Sequence, residues 1–566
     1  MGTGAEVSGG FSLDFEGVAV PARAGESVAA ALAAHGVKGW RTTRSGAQRG
    51  LFCGMGVCQD CVVEIDGVPG RRACMTSVDR PMTVRRQRHG QPLPPATELR
   101  PPATLAELPV ERPQLLVIGG GPGGLSAAIA ARRAGVEVLL LDERRSPGGQ
   151  YFKPVAVAGD DVLPPDAQHR EGLALVAEAR AAGVEIRSGI TVWGAFRPLE
   201  FAAVTAAGES FRVLPGATII ATGAYERGWP VPGWTLPGVM TTGAAQTLWR
   251  TARRLPGRRV VIAGNGPLNL QLAAELTAGG AEVVAVAEAA AAPTGALAAV
   301  VAMALASPAL VAQGVGYRLR CQAAGVPVLH GEVVSAVAQG PAGLQVTLTD
   351  GGATRVLEAD VLCLGYGFEP SNELLRALGC RHDHDSAQQR LVTWRDADGQ
   401  TSVAGVYALG DCTSLGGARV AAADGTLAGL AAAAALGQPL SPALERQQQQ
   451  ARGAGQRHRR FQQALWRLYR APAPDIAQVP DETMICRCEE VCFGTARAAI
   501  ADGLADAGCV KRATRIGMGP CQGRYCRPLL EALIADATGA APDELSGFAP
   551  RPPFRPETIR DLAGKP

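Results

Sequence analysis

Neither sign of charge dominates this chain: 55 lysines and arginines stand against 52 aspartates and glutamates, a net charge of +3. No arginine–lysine block is long enough to form a nucleic-acid surface, and the short basic tract 456–460 reads as a solvated helix face or a subunit contact. Long apolar runs are also lacking. The uncharged stretch 289–315 is interrupted by Pro293 and by Ser307–Pro308 and diluted by Gly and Gln. A membrane span needs about 20 apolar residues in one helix, so this stretch predicts buried helices and no membrane span. Residues 1–10 hold neither a basic residue nor an apolar run, which predicts a cytoplasmic chain without an export signal. The seven histidines are dispersed, and the nearest pair, His382 and His384, sits in the polar run "RHDHDS", expected to be a surface loop. Without an acid–base constellation, no catalytic residue is assigned.

What the chain has in quantity is glycine, 71 residues, together with alanine, over a length of 566 that calls for several domains. This composition suits Ala-rich helices and the tight turns of nucleotide-binding α/β folds. Residues 11–20 alternate as a short hairpin, 26–35 read as an Ala-rich helix, and 62–65 as part of a second strand pair. Prolines then crowd residues 91–113, an extended and semi-rigid connection. Strand–helix–strand patterns follow at 115–141 and again at 259–287, and the chain returns through apolar segments at 361–364 and 406–409. That order predicts two nucleotide-binding units, the second inserted in the first. The expected domains are 1–92, a linker at 93–113, a first unit at 114–240 and 336–440, an inserted unit at 241–335, a helical connector at 441–479, a small domain at 480–540 and a proline-rich tail at 541–566.

Eight of the fourteen cysteines form two tight sets, and the other six (Cys321, Cys363, Cys380, Cys412, Cys492 and Cys509) read as small buried apolar residues. Cys53, Cys58, Cys61 and Cys74 are spaced C-x4-C-x2-C-x12-C. The first three match plant-type [2Fe–2S] spacing. Gly54 and Gly56 let backbone N–H groups face the sulfides, and Val57 shields the site. Zinc sites favour paired C-x2-C spacings instead. The order of hairpin, helix, cysteine loop and strand resembles the β-grasp ferredoxin domain. "CGMGVCQDC" resembles the ferredoxin-like domain of bacterial amine-oxidising flavoenzyme complexes.

Gly119, Gly121 and Gly124 give G-x-G-x-x-G between an apolar strand and a helix opened by Pro122, and Asp142 closes the next strand 23 residues after Gly119. Glycines allow the pyrophosphate to approach, the helix N-terminus favours its charge, and the acid meets the ribose hydroxyls. Thr222–Gly223 and Gly410–Asp411, each after a strand, resemble the "ATG" and late "G-D" segments of flavoproteins with two dinucleotide domains, and Gly149–Gln150 lies where that class lines the flavin. FAD is the expected cofactor. The second unit repeats the pattern at Gly264 and Gly266, but Asn269 stands where the third glycine belongs. Glu288 ends its next strand, an arrangement that prefers NAD to NADP. A unit that keeps the fold without the nucleotide is equally compatible. No C-x2-C occurs in the second unit and no cysteine pair follows Gly149, so the redox disulfide of thioredoxin-type reductases is missing.

Cys486, Cys488, Cys521 and Cys526 read C-x-C-x32-C-x4-C. The first half resembles the bacterioferritin-associated-ferredoxin type of [2Fe–2S] domain, a small helical fold. That family closes with C-x2-C, whereas the C-x4-C here resembles the variant in amine-oxidising flavoproteins.

Taken together, "ATGAYERGWPVPGWTLPGVMTTGAAQ" (221–246), "CLGYGFEPS" (363–371) and "GMGPCQGRYC" (517–526) resemble the FAD-containing α subunit of the opine oxidase, hydrogen cyanide synthase and (hydroxy)proline dehydrogenase family. The resemblance implies a multidomain α/β fold: a disulfide-reductase-like core of two dinucleotide-binding domains, flanked by an N-terminal β-grasp and a C-terminal helical [2Fe–2S] domain. It implies that the amine or amino acid is oxidised on a β-type partner subunit with its own FAD. This chain would then relay electrons to an acceptor, with FMN at the subunit interface. Two other readings stand beside it. One is a self-contained NAD(P)H-dependent reductase feeding its own clusters, and the other is a scaffold whose cysteines hold zinc.

Overall fold

The computed structural model describes residues 10–88, 104–157, 164–294, 296–471 and 475–562. Most of the proline-rich connection expected at 93–113 lies outside the described residues.

At the N-terminal end, strands Gly10–Phe15 and Val18–Arg23 pair as an antiparallel hairpin, and the first also runs parallel to Met82–Arg88. Leu13, Phe15, Val20 and Ala22 alternate inward, and all are buried. The helix Val28–Ala34 lies on this sheet. It starts where Ser27 Oγ accepts from the Ala30 N–H at 3.1 Å.

The core holds two parallel sheets. The first has the order Glu185–Ser188, Val138–Asp142, Leu115–Ile118, Ala217–Ile220, Val406–Ala408. Its central strands are apolar from end to end, as strands covered on both faces must be. The helices Pro122–Arg133 and Gly417–Ala435 cross closely on one face. A Cβ at Gly425 would stand 2.2 Å from the Gly123 carbonyl oxygen, so only glycine permits that approach. The second sheet has the order Val239–Thr241, Val361–Gly365, Arg259–Gly264, Glu282–Glu288, Val328–His330. It recruits strands on both sides of the 241–335 boundary expected above. Taken by its sheet, the inserted unit therefore runs from 239 to 365, because Val361–Gly365 pairs with Arg259–Gly264 and not with the first sheet.

A single helix, Pro442–Leu468, follows, begun by Ser441 as N-cap and Pro442. Last comes a small unit of one short hairpin and helices Phe493–Ala501, Ala507–Thr514 and Arg527–Thr538 around Ile485, Phe493, Val510, Ile516 and Leu530.

Three expectations need correction. The stretch 289–315 does split at Ser307–Pro308, but helices Leu297–Ala306 and Pro308–Ala323 are not buried. Of their residues only Ala299, Met303 and Cys321 are fully buried, and Leu297 and Leu305 are 73% and 83% exposed. The "RHDHDS" run is no loop: strand His382–Asp385 pairs with Arg390–Thr393, and alternation sends His382 inward to hydrogen-bond the Cys380 carbonyl and Thr393 Oγ1. Of the six scattered cysteines, Cys492 and Cys509 are half-buried rather than buried. Among the described residues, no helix is long and apolar enough to cross a membrane.

Candidate flavin cavity and paired cysteine sites

The glycine loop after strand Leu115–Ile118 has no room for side chains. A Cβ at Gly124 would sit 1.9 Å from the Gly119 carbonyl oxygen, and one at Gly120 would sit 2.6 Å from Asp142 Oδ2. The loop delivers the chain to the N-terminus of helix Pro122–Arg133. Asp142 ends the neighbouring strand with both oxygens engaged, Oδ2 by the Gly120 N–H at 2.5 Å and Oδ1 by the Arg144 N–H at 2.7 Å. Asp411 accepts from the Gly416 and Gly417 N–H groups at 3.1 and 3.0 Å.

These groups line one cavity of about 820 Å³, a size typical of cofactor sites. Gly119, Gly121, Pro122, Gly124, Asp142, Gly149, Gln150, Thr222, Gly223, Gly410 and Asp411 all face it. The residues fit FAD on two structural grounds: a loop that a Cβ would block, and a helix N-terminus beside a bound carboxylate. Burial, only partly offset by the backbone N–H groups, raises the carboxyls of Asp142 and Asp411.

Glu288 lines the same cavity, but Gly264 and Gly266 do not. A Cβ at Gly264 would meet the Gly365 carbonyl oxygen at 2.2 Å, and the Asn269 side chain fills the remaining gap, taking a hydrogen bond from Thr242 Oγ1 at 2.9 Å. The Trp466 ring lies over Gly266. Glu288 Oε2 accepts from the Gly266 N–H at 3.1 Å and Oε1 from the Ala290 N–H at 3.0 Å, and burial pushes its carboxyl up to about 7.

Sequence reasoning missed several residues on the cavity wall. Lys153, in left-handed backbone (φ 42°), is buried and donates to the Gly243 carbonyl at 3.0 Å and Gln246 Oε1 at 2.9 Å. Burial brings its ammonium down to about 7 against the pull of Glu226. Burial likewise lifts the Glu226 carboxyl to about 7, despite Thr241, Lys153 and the Gly243 N–H. A lysine four residues after Gly149 was the available signal. Phe554 and Arg555, from the proline-rich tail, and Arg524 also face the cavity, as does Cys53.

The cysteines approach two by two. The Cys53 and Cys58 thiols perturb each other at close range, as do Cys61 with Cys74, Cys486 with Cys526, and Cys488 with Cys521. Gly54 and Gly56 adopt positive φ (63° and 80°), which turns the loop's N–H groups toward sulfur. The Met55 N–H reaches Cys53 Sγ at 3.5 Å, and the Asp60 N–H reaches Cys58 Sγ at 3.4 Å. Burial would raise the Cys53 thiol, but Cys58 and the backbone donors outweigh it and bring it to about 6. Burial and the Cys53 partner push Cys58 up. The Cys526 partner lowers Cys486 to about 7 against burial, and Cys526 itself rises. Two buried thiolates side by side repel, so both ionise only when a cation sits between them.

Among the described residues, no three His, Cys, Asp or Glu side chains close round a single ion. Pairwise approach fits a binuclear iron–sulfur cluster, in which each iron takes two protein ligands, better than one tetrahedral zinc. Cys492 takes no part in these pairs; its thiol bonds Thr495 Oγ1 at 3.4 Å.

Known families and proteins match this chain. The family described as "Pyridine nucleotide-disulphide oxidoreductase" matches residues 113–426. A "2Fe-2S iron-sulfur cluster binding domain" matches 10–89, and a "BFD-like [2Fe-2S] binding domain" matches 484–536. The A-type chain of opine oxidase from Agrobacterium tumefaciens is 35% identical over 80% of this chain and 92% of its own. Hydrogen cyanide synthase of Pseudomonas aeruginosa matches through two separate subunits. HcnB is 30% identical over 78% of this chain and 96% of its own, and HcnA is 45% identical over 13% of this chain and 71% of its own. The crystal structure of L-proline dehydrogenase from P. horikoshii shares the fold at a TM-score of 0.71 and 20% identity, covering 99% of this chain and 98% of the other.

Proposed function

This chain belongs to the pyridine nucleotide-disulphide oxidoreductase family and, within it, with the A-type chains of opine oxidase; from that membership we propose that it is the electron-transferring FAD/iron–sulfur subunit of a heteromeric amine or amino-acid dehydrogenase or oxidase. The observation that carries the reading is that Cys53 lines the flavin cavity while Cys58 of the same loop touches the second cysteine set, its carbonyl 4.0 Å from Cys488 Sγ.

Bound FAD supplies two-electron chemistry and the clusters supply one-electron chemistry. The chain's own groups prepare the sites. Asp142 and the Gly119–Gly124 loop would hold the dinucleotide, and Asp411, also on the cavity wall, is fixed by two N–H groups. Lys153 and Glu226, both poised near neutrality, hold an exchangeable proton beside the cavity. Cys53, Cys58, Cys61 and Cys74 would hold one [2Fe–2S] cluster, and Cys486, Cys488, Cys521 and Cys526 the other.

The partner, in this reading, is a β-type flavoprotein subunit that oxidises the CH–NH bond, with FMN between the two chains. The opine oxidase and hydrogen cyanide synthase relatives are each named as one subunit of a larger enzyme, which supports a hetero-oligomer. A reducing, cytoplasmic setting agrees with fourteen free cysteines. The alternative, a nicotinamide-driven reductase, draws on Glu288, which keeps its place on the cavity; the Asn269 side chain fills the space at Gly264, in the loop that would hold the pyrophosphate. Co-purification of the tagged chain from its host decides between them. A second flavoprotein retained with FAD, FMN and iron supports the relay, whereas a lone chain whose flavin NADH bleaches at once overturns it.

A further inference from the structure

Arg487 lies between Cys486 and Cys488, yet its side chain leaves the C-terminal unit and enters the N-terminal one. Nε and Nη2 both donate to Asp60 Oδ2, at 2.9 and 2.8 Å, and Nη1 donates to the Trp234 carbonyl at 2.7 Å. The guanidinium lies 3.7 Å from the Phe52 ring centroid and 4.7 Å from that of Trp234. Asp60 stands between Cys58 and Cys61, and its Oδ1 takes a second hydrogen bond from Arg41 at 3.0 Å. The Arg487 and Asp60 side chains are 4% and 1% exposed.

The cysteines themselves are sorted by this contact. Cys53, Cys58 and Cys521 share one apolar core with Phe52, Trp234 and Tyr525, Cys61 belongs to the core behind it, Cys486 and Cys526 to the core beyond, and Cys488 packs against both the first and the last of these. The Cys53–Cys58 and Cys488–Cys521 pairs therefore meet in that core, with Cys488 Sγ 4.0 Å from the Cys58 carbonyl and the Arg487 guanidinium on the Phe52 and Trp234 rings of the same core. The Phe52 and Tyr525 rings pack edge to face in the same core, 5.2 Å apart.

A buried ion pair is a weak source of stability, because desolvation offsets its attraction. Its place here has a different physical reason. Four thiolates and two sulfides outweigh two ferric ions, so each filled site is a net anion, and more so once reduced. Two such anions in one apolar core repel, and a fixed cation between them offsets that repulsion where the local dielectric is low. The other charges near these cysteines are Arg41 and Arg49, with Asp60 and Glu490 opposite them, Glu226 beside Cys53, and buried Arg524, whose Nη1 donates to the Cys521 carbonyl at 2.9 Å; Arg487 is the one that ties the Cys486–Cys488 segment to the Cys58–Cys61 loop, through Asp60.

We propose that Arg487, held by Asp60, is a positioning residue that locks the two cysteine sites face to face and raises the reduction potentials of both. The proposal rests on the iron–sulfur reading above. Its test uses the full chain, isolated anaerobically with whatever partner it retains, as wild type, Arg487→Lys, Arg487→Gln and Asp60→Asn. Iron per chain is measured first, then EPR-monitored redox titration and the EPR spectrum at full reduction. With iron retained, Arg487→Gln should shift both midpoint potentials to more negative values and weaken the magnetic interaction between the reduced sites. Arg487→Lys should restore the potentials, and Asp60→Asn should shift both to more positive values. Unchanged potentials in Arg487→Gln overturn the proposal. If Arg487→Gln loses its iron, the magnetic interaction in Asp60→Asn decides: an interaction weakened by releasing the clasp supports the proposal, and an unchanged one overturns it. Wild-type protein that binds zinc instead of iron overturns the iron–sulfur reading itself, a result distinct from a clasp without effect on potential.

Discussion

At the scale of single residues, burial decides which ionisable groups are unusual. Lys153 and Glu226 are each moved to about 7, from opposite directions, by the same loss of water, and each holds the other partly charged. Removing the cation in Lys153→Met should therefore lift the Glu226 carboxyl above about 7, and Glu226→Gln should let Lys153 fall below it. The measurement is a pH titration of the bound-flavin absorbance: the inflection should move up in the first variant and down in the second. An inflection common to both would refute the pairing. His382 offers a stability prediction. Burial lowers its imidazole from 6.5 to about 4, so the neutral form is favoured in the folded state. Its contribution is fully present above pH 6.5 and is lost as pH falls through 4, a loss of roughly 3 kcal/mol at about 1.4 kcal/mol per pKa unit. Urea unfolding between pH 7 and 4 should be correspondingly less acid-sensitive in His382→Gln. None of these three residues was legible in the sequence as a site residue. Lys153 owes its character to neighbours distant in the chain, and His382 and Glu226 owe theirs to burial that only the folded chain imposes, whereas the cysteine and glycine spacings are local and could be read directly.

At the scale of elements, periodicity was enough for the strands and helices that build the first sheet: Leu115–Ile118, Pro122–Arg133 and Val138–Asp142 lie where the glycine loop and the acid require them. It did not suffice where partners decide. An uncharged, alanine-rich run looks buried, yet helices Leu297–Ala306 and Pro308–Ala323 rest on the protein through a few positions only. Leu305→Lys should consequently change unfolding free energy by no more than about 0.5 kcal/mol, as for ordinary surface substitutions. A loss of several kcal/mol, of the kind a buried leucine gives, would mean that the helix is covered. The return strand Val361–Gly365 is the same lesson in a sheet. Its apolar run says that it is central but not which of two parallel sheets it joins, and pairing with Arg259–Gly264 settles that.

At the scale of the whole molecule, the two cysteine sites lie at opposite ends of the chain, and the contact that joins them spans 427 residues. Each site was recognisable from its own spacing, but their adjacency, the access of Cys53 to the flavin cavity and the presence of tail residues Phe554 and Arg555 on its wall belong to tertiary structure alone. Hydrogen cyanide synthase matches this chain through two separately named subunits, whereas here both cysteine sets and the cavity belong to one chain. A cofactor inventory of the anaerobically purified chain tests the central claim most directly. The expected result is one FAD and about four irons with matching acid-labile sulfide, two binuclear clusters, and two EPR signals on reduction. Stoichiometric zinc in place of iron, or a chain that binds iron but no FAD, would contradict it.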